Sequence, residues 1–77
     1  MYQTNETPKA TAYIYRSHPD GARIIDTLQA HKITPRVYVI NSICLKIEIP
    51  ADDIETAREI LPDTRAAWII HERRRPR

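Results

Sequence analysis

Four side chains in this sequence have the chemistry of metal ligands or nucleophiles: His18, His31, Cys44 and His71. Zinc sites usually draw on pairs of cysteine or histidine that lie a few residues apart, and no two of these residues stand at that spacing. Cys44 falls within an alternating run typical of a strand, where cysteine usually behaves as a small apolar side chain. We therefore expect no metal site, no cofactor and no catalytic residue.

Composition excludes a phosphate-binding loop, because the chain has one glycine, Gly21, and such loops need several. The acids that cluster later in the chain fit a helix start, where the helix dipole favours negative charge. An acidic patch that imitates nucleic-acid phosphates is an alternative interpretation of them. These acids are Asp52, Asp53, Glu55 and Glu59. The sequence predicts that the protein is not an enzyme.

Tyrosines and arginines provide a different kind of chemistry. Tyr13 and Tyr15 alternate along one run, and aromatic side chains on a sheet can stack on nucleic-acid bases. The strand motif of RNA-recognition domains, with its glycine and phenylalanine, is absent from the sequence. The formal net charge is +2, and it becomes −2 without the four arginines of the C-terminal tail. Nucleic acid is thus an alternative partner. The predicted contacts with it in the C-terminal tail are Arg73, Arg74, Arg75 and Arg77.

The length of 77 residues fits one domain. Residues 1–9 are polar and without periodicity, which predicts a flexible N-terminal arm, and residues 73–77 form a basic C-terminal tail. Residues 10–72 are the predicted α+β domain. One cysteine cannot form an intrachain disulfide, and no apolar run approaches the length of a membrane span. We expect a cytoplasmic protein without a membrane segment.

Periodicity predicts four strands and two helices in the domain. The first helix begins near Ser17, with Pro19 and Asp20 in its first turn, and runs to about His31. The second begins at the acids near Asp52 and ends at Pro62. Gly21 weakens the first helix and leaves room for a close backbone approach. The predicted strands cover residues 10–16, 36–40, 43–49 and 66–71.

The resulting order is the split β-α-β-β-α-β of the ferredoxin-like arrangement, an α+β fold. Both helices are then expected on one face of a four-stranded antiparallel sheet. Right-handed crossovers place the first and third strands at its centre. The opposite face of the sheet is left for solvent or a partner.

The turn of the hairpin decides which side chains reach that open face. A turn at Asn41-Ser42 sets Ile40 opposite Ile43, Tyr38 opposite Leu45, and Arg36 opposite Ile47, all beneath the helices. Ala12 and Ile14 join them there. The open face is then predicted to carry Thr11, Tyr13, Tyr15, Val37, Val39, Cys44, Lys46 and Glu48, with Trp68 or Ile69 from the last strand.

An apolar sheet face on a small chain without catalytic groups favours a protein-binding role. The leading hypothesis is a small regulator or inhibitor, of the kind that phages and mobile elements encode, acting through this face or by forming a homodimer. Nucleic-acid binding, and small-molecule sensing at the turn 17–21, are the alternatives. The predicted partner contacts are Tyr13, Tyr15, Val37, Val39, Lys46 and Trp68.

Overall fold

The structure, a computed structural model, describes residues 10–72. The expected arm 1–9 and basic tail 73–77 lie outside the described residues. Two short 3₁₀ helices, Ala51–Asp53 and Pro62–Ala67, flank the second α-helix. The main elements are β1 (Ala10–Ser17), α1 (His18–Ala30), β2 (Arg36–Asn41), β3 (Cys44–Pro50), α2 (Ile54–Ile60) and β4 (Ile69–Glu72). Within residues 10–72, no helix has the length and apolar character needed to cross a membrane.

The four strands form one antiparallel sheet with the order β2-β3-β1-β4. The α+β class and the antiparallel sheet are as the sequence predicts. The first and third strands lie at the centre, and β2 and β4 are the two edges. Central strands pair on both sides, whereas an edge strand leaves one row of backbone groups free.

The hydrophobic core joins one face of the sheet to the helices. Ala12 and Ile14 of β1 and Ile47 and Ile49 of β3 supply the sheet side of the cluster. The helices and the segments beside them supply Ile24, Leu28, Ile33, Ile54, Ala57, Leu61 and Trp68. No residue of β2 belongs to this cluster. The helix layer therefore covers the central strands and stops short of the β2 edge.

The first helix lies close against the sheet at Gly21. A Cβ atom built on Gly21 would stand 2.7 Å from Cδ1 of Leu45, closer than such contacts normally come. The close approach that the sequence left open is thus found, between α1 and β3. Ser17 occupies the N-cap position, although its side chain makes no capping hydrogen bond.

The predicted last strand is wrong at its start, because residues 62–67 form a 3₁₀ helix and β4 begins only at Ile69. Thr64 is buried, donates a hydrogen bond to Leu61 O (2.9 Å) and accepts one from Trp68 Nε1 (3.1 Å). This pairing turns the indole inward, and Trp68 is only 5% exposed. Trp68 is therefore a core residue and does not lie on the open face, while its predicted role as a partner contact stays a prediction.

Candidate interaction surfaces

The hairpin of β2 and β3 has a different register from the predicted one. Tyr38 lies opposite Lys46, Val39 opposite Leu45, and Asn41 opposite Cys44, with an irregularity between Val39 and Asn41. The turn is formed by Ser42 and Ile43, and the backbone N–H of Ile43 donates to Asn41 Oδ1 at 2.9 Å. Ile40 is the extra residue of a β-bulge. The predicted pairing of Tyr38 with Leu45 is therefore wrong by one residue.

A shift of one residue moves every side chain of a strand to the other face. Val37 and Val39 consequently lie on the helix side, paired with Ile47 and Leu45, and not on the open face as predicted. Tyr38 takes their place on the open face. The physical cause is the bulge, which inserts one unpaired residue between the turn and the regular part of β2.

The open side of the sheet presents what we call the tyrosine face. Its centre is formed by three aromatic side chains and one lysine, from the three neighbouring strands β1, β2 and β3. Arg36 and Glu48 lie beside them as an opposed pair on β2 and β3. The residues of the tyrosine face are Tyr13, Tyr15, Arg36, Tyr38, Lys46 and Glu48.

Lys46 contacts the rings of two of the three tyrosines in the tyrosine face. Its Nζ stands 4.7 Å from the ring centroid of Tyr13 and 5.4 Å from that of Tyr38. Tyr13 and Tyr15 meet edge to face, with centroids 5.7 Å apart. The hydroxyl of Tyr38 donates to Glu48 Oε1 at 3.4 Å. Tyr15 and Tyr38 remain 49% and 42% exposed, so both rings are accessible to a ligand.

A second surface, the β2 edge, consists of Val37, Val39, Ile40 and Ile43. All four side chains are exposed, with Ile43 at 72% and Val39 at 69%. Ile43 was predicted to lie beneath the helices, and its place in the turn keeps it outside. The two valines point to the helix side, but the helix layer does not reach β2. The β2 edge is thus an uncovered aliphatic strip.

The tip of the hairpin is held against the start of α1. The backbone N–H of His18 donates to Ile43 O at 3.3 Å, and His18 Nε2 lies 3.0 Å from Asn41 O. These contacts fix the end of the β2 edge relative to the helix layer. The hairpin tip and the start of α1 are thus joined by two polar contacts.

The turn 17–21, the place expected for a small-molecule sensor, uses its polar groups internally. Asp20 accepts hydrogen bonds from Arg23 (2.8 Å to Nη2) and from Arg16 (2.6 Å to Nε). Arg23 also bridges to Asp63 at 2.7 Å. The hydrogen bond from Arg23 has the largest effect on the pKa of Asp20, and the one from Arg16 has the next largest. Both hold that pKa below its ordinary value. Gly21 is closed off by Leu45, so the backbone at this position is not open to a ligand.

The histidines, cysteine and acids considered as metal ligands or catalytic groups do not form a cluster within the part of the chain that the structure describes. Among residues 10–72, no group of three or more histidines, cysteines or acids is arranged to hold a metal ion. Cys44 is half-buried, with its Sγ 3.8 Å from Leu45 O. A shallow open cleft beside α2 is lined by Glu55, Arg58, Glu59 and Arg65, which alternate in charge.

Sequence reasoning missed Tyr38 and Arg36 as residues of the open face. The sequence contained a signal against the predicted register, because that register placed a tyrosine and an arginine beneath the helices. The observed register instead sets Arg36 opposite Glu48 and Tyr38 opposite Lys46. Opposite charges and cation–aromatic pairs across strands are favourable, and a search for such pairs would have selected it.

No protein-family model, curated protein or solved structure matches this chain.

Proposed function

We propose that this chain is a non-enzymatic protein-binding module, of the regulator or inhibitor class, that engages its partner through the β2 edge. The observation that carries the proposal is that all six residues of β2 are exposed although the strand is mainly aliphatic and aromatic. An edge strand offers its free backbone donors and acceptors to one further strand. Edges that remain unpaired are usually blocked by lysine or proline, and Arg36 is the one charge within β2.

We also infer a ferredoxin-like topology for the domain. It is supported by the helices that follow β1 and β3 and by the central position of these two strands. In that arrangement the second strand is always an edge. A partner strand can therefore add to β2 while the core between the helices and the central strands stays closed.

The side chains of β2 favour a second copy of the chain as this partner. In an antiparallel pair centred on Tyr38, each Val37 lies opposite Val39 of the second copy, and the two Tyr38 side chains lie opposite each other. Arg36 then faces Ile40, so no like charges meet. Aliphatic and aromatic cross-strand pairs are each favourable. The two strips would form one four-valine cluster beside the helix layers.

Sedimentation velocity over a range of concentrations tests this proposal. We expect the full chain to dimerise as its concentration rises, and Val39→Lys to remain monomeric with an unchanged circular dichroism spectrum. The matched control is Ile70→Lys, because Ile70 is an exposed side chain on β4, the other edge. That variant should dimerise as the wild type does. A wild-type chain that stays monomeric, or equal effects of the two lysines, would contradict pairing through the β2 edge.

A further inference from the structure

The tyrosine face differs in chemistry from the β2 edge and lies on the other side of the sheet. Its centre is aromatic and cationic, whereas the β2 edge is aliphatic. Aromatic rings of this kind bind flat groups by stacking, which aliphatic strips do not. We therefore expect the tyrosine face to bind a different ligand from the β2 edge.

Three residues of the face lie in one row across the sheet. Tyr15 is opposite Lys46, and Lys46 is opposite Tyr38. Neighbouring strands are about 4.8 Å apart, so the Cα atoms of the two tyrosines are separated by roughly 10 Å, with that of Lys46 between them. The order along the row is aromatic, cation, aromatic. Two successive nucleotides of a single strand present the complementary order of base, phosphate and base.

We propose that the tyrosine face is a binding site for single-stranded nucleic acid, DNA or RNA. Bases stack on Tyr15 and Tyr38, and the phosphate between them pairs with Lys46. Stacking on aromatic side chains needs unpaired bases, which a duplex does not offer. The proposal does not depend on the β2 edge.

The charge of the face agrees with a phosphate ligand. Arg36 and Lys46 contribute positive charge, and Glu48 is the one acid among the strand residues that define the face. Glu48 accepts a long hydrogen bond from the Tyr38 hydroxyl at 3.4 Å, so its carboxylate places a negative charge beside the tyrosine row. Removal of this charge should therefore strengthen binding.

The sequence that follows β4 is rich in positive charge. The backbone of Glu72 pairs with Ala10 of β1, and four arginines follow it. Arginines attract phosphates whatever the base, so their contribution has to be separated from that of the tyrosine face.

The test uses the full chain and fluorescently labelled thymidine and uridine homopolymers, followed by fluorescence anisotropy. Both single strands should bind, a duplex should bind more weakly, and affinity should fall as salt rises from about 50 to about 200 mM. Tyr15→Ala and Tyr38→Ala should each weaken binding by about 5- to 150-fold. Tyr15→Phe keeps the stacking ring and should bind as the wild type does. The thymidine and uridine arms show which nucleic acid is preferred.

Charge variants separate the face from the tail. Lys46→Gln should reduce the slope of log affinity against log salt by about 0.7, the value for one phosphate on a single strand. Glu48→Gln should tighten binding. A chain ending at Glu72 should bind more weakly but keep the loss caused by Tyr15→Ala.

Unchanged affinity in the two tyrosine-to-alanine variants would overturn the proposal, as would equal binding of duplex or no binding at low salt. A loss that follows the tail alone would do the same. Val39→Gln, a change in the β2 edge that adds no charge, should leave the affinity per chain unchanged. Failure of this inference is therefore distinguishable from failure of the proposed function.

Discussion

Lys46 lies directly opposite Tyr38 on the neighbouring strand, and its Nζ stands 5.4 Å from the centroid of the Tyr38 ring. The same atom is 4.7 Å from the ring of Tyr13, two strands away from Tyr38. A cation is attracted to the face of an aromatic ring. One lysine therefore connects the edge strand β2 to the central strand β1 across β3.

Loss of this cation should weaken the sheet slightly. We expect Lys46→Met to lower the free energy of unfolding by about 0.5–1 kcal/mol, the range for an exposed cation–aromatic contact. Methionine keeps an apolar stem of similar length, so packing on the tyrosines is largely retained. Lys46→Arg keeps the cation and should cost less. Urea unfolding measures both variants, and an equal loss in each would contradict a role of the charge.

Gly21 should tolerate one extra carbon but not a larger side chain. In Gly21→Ala, the gain of about 1 kcal/mol in helix propensity offsets the displacement of Leu45, so the stability should change by less than about 1 kcal/mol. Gly21→Leu should lower it by about 1–3 kcal/mol through overpacking. Ala22→Leu, at the exposed neighbouring position, is the control and should have little effect. A fully stable Gly21→Leu would contradict the close approach of α1 to β3.

We expect the buried hydroxyl of Thr64 to contribute more to the free energy of unfolding than its methyl group does. Thr64→Val leaves the indole N–H of Trp68 without its partner, and an unsatisfied buried donor costs about 1–3 kcal/mol. Thr64→Ser keeps the hydroxyl and loses one buried methyl, at about 0.8 kcal/mol. Thermal unfolding followed by the fluorescence of Trp68, the single tryptophan, reports both. A valine variant as stable as the serine variant would contradict the importance of this hydrogen bond.

Asp20 should stabilise the fold at neutral pH and not in acid. Its pKa is lowered by Arg23 and Arg16, so its contribution is complete above the ordinary value of 3.8. That contribution is lost as the pH falls through the lowered folded-state value. Asp20→Asn should therefore be less stable than the wild type near pH 7, and the difference should shrink toward pH 2 and at high salt.

The control for this experiment is Asp26→Asn, on the same helix, because the ion pairs found within residues 10–72 do not include Asp26. Its stability difference from the wild type should be small across the same pH range. A difference for Asp20→Asn that stays constant from neutral to acid pH would contradict the role of the ionised carboxylate.

The faces of β1 follow directly from the sequence. Ala12 and Ile14 alternate with Tyr13 and Tyr15, and the structure buries the first pair and leaves the second toward the open side. The period of two is uninterrupted in this central strand, so the pattern alone decides the outcome. Tyr13 and Tyr15 therefore lie on one face as predicted, with Tyr15 exposed and Tyr13 half-buried, while their role in binding stays a prediction.

The faces of β2 could not be assigned in the same way. Its sequence is apolar or aromatic at four of six positions, so both faces satisfy a hydrophobic pattern. The choice between them depends on the bulge at Ile40, and a bulge has no fixed residue signature. Before β4, the 3₁₀ helix Pro62–Ala67 includes the first two residues of the predicted strand, and it is accompanied by burial of Thr64 and Trp68, which depends on tertiary packing and not on strand propensity.

The bulge also determines how this hairpin can change in length. Val39 and Asn41 lie opposite Leu45 and Cys44, which are consecutive residues, so Ile40 is surplus to the backbone ladder. Deleting Ile40 would join the two flanking residues into regular pairing and leave Tyr38 beside Lys46. A related sequence that lacks the residue at the position of Ile40 should thus retain its aromatic side chain at the position of Tyr38. An alignment that places the gap in the turn instead would assign that side chain to the wrong face of the sheet.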